Sequence, residues 1–144
     1  MDTVDPAVGL AIVRIGLGVY WLTNAIRDFQ LGRHKDMGMY LGMMARDNPI
    51  GWYGAFMRAA VAPYVGFYGY FVPISMLLIG ISLLTGVATN IALVGAIVLC
   101  VNVLFAFGLG KERPQLALLI ISQLGLLLAN SERALSAASL WNRP

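Results

Sequence analysis

From Ala59 to Gly110 the chain carries no Asp, Glu, Lys, Arg or His, a run of 52 residues. A helix rising about 1.5 Å per residue needs about 20 residues to cross a hydrocarbon core of about 30 Å. The run is therefore two crossings. The break between them is Thr85 to Asn90, "TGVATN", where Gly86 suits a helix end and Thr89 or Asn90 a helix start. This predicts spans near Tyr64 to Leu84 and Ala88 to Gly108. Composition agrees: 59% of the 144 residues are hydrophobic and 12% charged, against about 25% charged in soluble domains.

Two further apolar segments flank the run. Pro6 suits a helix start and opens a segment to about Ile26 that contains one charge, Arg14. "KERP" breaks the chain before a segment from Pro114 to Ala129, which is short for a crossing unless it extends past Asn130 toward Leu135 or thins the bilayer locally. The predicted fold is all-α, a single domain forming an integral membrane four-helix bundle with spans at about 7–26, 64–84, 88–108 and 114–130. The acidic start "MDTVDP" does not fit a secretory signal.

The connection from Arg27 to Pro63 is too long for a hairpin and carries Arg27, Arg33, Lys35, Arg46 and Arg58. Lys111 and Arg113 fall on the same side, against Arg133 and Arg143 on the other. The positive-inside rule then predicts a multi-pass protein of a prokaryotic cell (inner) membrane with both termini extracytoplasmic. The region 33–62 reads as one or two short interfacial helices. Its "RHKDMGMYLGMMARDNP" holds the only histidine, His34, and four of the seven methionines. On a helical wheel Met37 and Met44 face away from Met39 and Met43, so no metal shell forms, and none is expected. Gly38 and Gly42, with Trp52 and Tyr53, instead read as packing surface for a partner.

The stretch "NPIGWYGAFMRAAVAPYVGFYGYFVPISMLLIGISLLTGVATNIALVGAIVLCVN", with "RIGLGVYWLTNAIRDF" before it, resembles the DoxX and DoxD-like membrane proteins, including the small membrane subunit of thiosulfate:quinone oxidoreductase. The matching elements are "WY" followed by Phe56, the Gly80 to Gly86 spacing, the small and hydroxyl turn after it, and Asn102. The resemblance covers roughly residues 10 to 130. It implies a four-helix membrane bundle associated with electron delivery to quinone. Where the family often has an acidic residue this chain has Met76, and where it often has an arginine this chain has Asn90. Those absences point away from catalysis, because intramembrane charges tend to mark function.

The remaining polar and aromatic residues define the candidate sites. Arg14, Asn24 and Asn102 can donate to a quinone or lipid, with Tyr64, Tyr68 and Phe71 as an aromatic wall and Pro73 expected to kink the helix beyond them. One histidine cannot ligate a haem axially on both sides, and the single Cys100 offers neither a disulfide nor a cluster site. No covalently bound or metal-ligated cofactor is therefore expected, and no nucleic acid. The expected partners are other membrane subunits and lipid. The favoured function is an accessory subunit of a larger quinone-linked complex; the alternative is a quinone-binding subunit of a thiosulfate:quinone oxidoreductase type.

Overall fold

Pro6 opens the first helix at a position whose backbone donor would have no intrahelical partner. The computed structural model describes residues 6–107 and 114–129. In it α1 runs Pro6–Gln30, and Gly32, at φ 66°, turns the chain into α2, Arg33–Arg46. A short α3, Gly51–Phe56, passes through a wide π turn at Met57–Val61 and a 3-10 turn at Ala62–Tyr64 into α4, Val65–Thr85. Then come α5, Thr89–Phe107, and α6, Pro114–Leu128. There is no strand among the described residues.

Three stretches, Ala7–Gln30, Gly51–Thr85 and Thr89–Ala106, are long and apolar enough to cross a bilayer. The chain is a membrane protein on that evidence. The 15 residues of α6 give a helix of about 22 Å, short of the core thickness of about 30 Å. The expected continuation past Asn130, the "KER" break and the side chains of His34 and Met37 lie outside the described residues. The second stretch is not one uniform helix. Pro63 has no N–H to offer Ala59, and just before it the Ala62 N–H reaches back five residues to the Met57 carbonyl, so the backbone widens and then tightens. Within α4 the helix continues through a buried Pro73.

α1 packs most extensively on α4. Gly18 faces Leu84, and Gly80 meets the backbone of Gly18 and Leu22, which sets an antiparallel register. Leu17 and Trp21 of α1, Ile79 and Leu83 of α4, Leu93, Ala96 and Cys100 of α5, and Leu126 of α6 form one core. The turn between α4 and α5 follows the sequence expectation: Gly86, at φ 74°, donates its N–H to the Ser82 carbonyl. Ala88 is also left-handed, at φ 52°.

α2 and α3 form a second antiparallel unit. At one end Gly38 packs against Val65 at the start of α4, and at the other Asn48 reaches the last turn of α5. The unit therefore lies across one end of the longer helices. Arg58 donates to the Ala45 carbonyl at 2.7 Å, satisfying an acceptor in the last turn of α2 where the helix dipole favours a cation. Ala45, Tyr53, Met57, Val61 and Ala106 make a smaller core beneath it.

Candidate functional site

The six residues expected to contact a quinone or lipid do not converge. Arg14 is 1% exposed. Carrying the Gly18–Leu84 and Leu22–Gly80 register one turn further places it level with the turn between α4 and α5. Asn24 is half-buried and donates to the Tyr20 carbonyl of its own helix at 2.8 Å. Tyr64 is exposed on the 3-10 turn. Tyr68 and Phe71 do meet, edge to face at 6.3 Å, and Phe71 also stacks on Phe67 at 5.4 Å. Asn102 accepts the Tyr53 hydroxyl proton at 2.9 Å on its side-chain oxygen.

Of the six, Phe71 lines one feature, and Tyr68 and Asn102 stand one helical turn beyond its lining on the same faces of α4 and α5. Between α4 and α5 runs a groove of about 410 Å³, with Phe71, Ser75 and Ser82 on one wall and Gly95 and Leu99 on the other. Ile79 and Ala92 are its buried floor; Leu78, Ile91 and Val98 are its exposed lips. Its two hydroxyls are already committed, Ser75 to the Phe71 carbonyl at 2.7 Å and Ser82 to the Val87 carbonyl. Helical periodicity carries the α5 wall from Val98 and Leu99 to Asn102, and the α4 wall from Phe71 to Phe67 and Tyr68. With its oxygen held by Tyr53, the exposed Asn102 amide keeps its N–H pair for a ligand at that end of the groove.

The four residues expected to pack against a partner divide in two. Gly38 and Tyr53 are used within the chain: a Cβ on Gly38 would lie 2.8 Å from Val65 Cγ1, and Tyr53 is buried beside Phe105. Gly42 and Trp52 face outward, with nothing within 4 Å of a Cβ at Gly42 and Trp52 66% exposed. On α2 the exposed Met39 and Met43 diverge from the half-buried Met44, as the wheel required.

Sequence reasoning passed over Gln123. It is fully buried in α6, its amide 4.0 Å from the Cys100 sulfur. A mid-helix amide in a largely apolar helix, whose other amide, Gln115, lies in the first turn, was the available signal. Thr89 is buried as well, at the start of α5. No three His, Cys, Asp or Glu side chains gather into a metal site among the described residues. Compared with known proteins, the chain matches no family, no curated relative and no solved structure.

Proposed function

We propose that the chain is a small integral-membrane accessory subunit that docks in a larger, quinone-linked electron-transfer complex of a prokaryotic cell membrane. In this reading α1, α4, α5 and α6 are four crossings, the last in locally thinned bilayer, and both termini are extracytoplasmic. The link to quinone rests on the resemblance of the sequence to the DoxX and DoxD-like proteins.

Docking rests on one observation, the contrast between two kinds of glycine. Gly18 and Gly80 are filled from within, by Leu84 and by the backbone of Leu22. Gly9 and Gly16, seven residues apart on α1, would each present a Cβ to open space, and the neighbouring Ile12 and Val13 are exposed. A glycine inside a helix costs about 1 kcal/mol relative to alanine. Lipid tails do not require one, whereas a second helix approaching closely does. The outward glycines of α1 therefore mark a face for a neighbouring subunit.

Replacing Gly9 and Gly16 together with leucine tests this on native gels of the parent membrane. The double variant should insert as well as the wild type and drop out of the large complex. A fully assembled double variant would remove the argument. The quinone-binding alternative keeps Phe71 at the groove, with Tyr68 and Asn102 one turn beyond its lining, but loses Arg14 and Asn24, which lie elsewhere; reduction of quinone by the isolated chain with a sulfur donor would restore it.

A further inference from the structure

We propose that the groove between α4 and α5 binds one membrane phospholipid, its acyl chain lying along the groove and an ester carbonyl accepting from the Asn102 amide. The inference uses a different face from the α1 docking surface and stands apart from it. From Phe71 to Ser82 the α4 wall is about 16 Å long, roughly half the hydrocarbon core of about 30 Å. That is the depth of one leaflet, and so of one acyl chain. The groove opens sideways between the exposed Leu78, Ile91 and Val98, the direction from which a lipid enters.

One end offers an exposed donor. At the Ser82 end the hydroxyl is committed to Val87, while one turn beyond the other end Tyr53 holds only the oxygen of the exposed Asn102 amide, leaving its N–H pair as donors. That end also carries Trp52, 5.8 Å from Phe105 and largely exposed, as an aromatic side chain at the headgroup boundary is. A donor asks for an acceptor. The ester carbonyl of a phospholipid stands at this depth, directly above its own acyl chain. A transmembrane helix laid in the groove would bring carbonyls already bonded along its backbone and leave Asn102 unanswered. A quinone ring carries two opposed carbonyls where the groove end supplies donors on one side.

The test is native mass spectrometry of the full chain, reconstituted in nanodiscs of palmitoyl-oleoyl phosphatidylethanolamine and phosphatidylglycerol with added ubiquinone and then released into mild detergent. The wild type should retain one phospholipid per chain. Gly95→Leu, which fills the groove, should lower that occupancy by about tenfold or more. Asn102→Leu, which removes the donor, should lower it about fivefold. Ser75→Leu provides a second way to fill the groove should Gly95→Leu not fold, because the Ser75 hydroxyl bonds only within its own helix. Helix content by circular dichroism identifies the variants to compare. A wild type that retains no lipid, one that retains ubiquinone in its place, or folded variants that hold phospholipid as well as the wild type would each overturn the proposal.

Discussion

A Cβ on Gly80 would lie 2.8 Å from the backbone nitrogen of Leu22, so α1 and α4 meet backbone to backbone at that point. Backbone atoms of two packed helices cannot yield as a side-chain tip can. Gly80→Ala should force the pair apart and destabilise the chain by about 2–3 kcal/mol, the scale of overpacking in a tight core. Unfolding by titrated dodecyl sulfate in mixed micelles measures the loss; an unchanged midpoint would mean that the contact is not close.

The two glycines of α2, four residues apart, should answer alanine in opposite ways. At Gly38 the new methyl meets Val65, a stiff β-branched side chain, and about 1 kcal/mol should be lost. At Gly42 it meets nothing, and the helix should gain up to about 1 kcal/mol from the better helix former. The same unfolding titration separates the two.

Asn48 holds the α2–α3 unit onto α5. Its amide donates to the Phe105 and Ala106 carbonyls at 3.0 and 3.2 Å, acceptors that the end of a helix leaves open, while its oxygen accepts the Ile50 N–H at 2.8 Å. Asn48→Ala should cost about 1–2 kcal/mol, and Tyr53→Phe, which loses the bond to Asn102, about 1 kcal/mol. Hydrogen exchange at the end of α5 should rise in both. Unchanged exchange in Asn48→Ala would show that the clamp does not hold that end.

The elements that could be read from the sequence are those set by local signals. Pro6 and Pro114 start helices and Gly86 ends one, because each acts through its own backbone geometry or hydrogen bonding; Thr89 is the first residue of the next, but its buried hydroxyl has no hydrogen-bond partner among the described residues. The contacts that give the site its shape are not local. Asn48 and Phe105 are 57 residues apart, and nothing near Asn48 announces that its amide will reach another helix. The tight fit of Gly38 on Val65 and the burial of Gln123 beside Cys100 depend likewise on where distant helices come to rest. Of the residues first grouped as a ligand site, Tyr68 and Phe71 stay together because they are neighbours on one helix. Arg14 does not join them, because the antiparallel register of α1 on α4 carries it the other way.

The charge asymmetry makes a prediction about orientation. With four crossings, Arg27, Arg33, Lys35, Arg46, Arg58, Lys111 and Arg113 would fall on one side and Arg133 and Arg143 on the other. Reporter domains active only in the cytoplasm should stay silent when fused to either terminus. Activity from both ends would invert the topology, and activity from one end would mean an odd number of crossings.

Extraction of the untagged complex in mild detergent, with its mass and subunit content determined, tests the docking of this chain most directly. The account predicts a stable assembly far heavier than the 15.6 kDa chain, containing other membrane subunits and losing this one when Gly9 and Gly16 are both leucine. A chain that leaves the membrane alone, with no co-purifying subunit and with the same mobility in the wild type and the double variant, would contradict it.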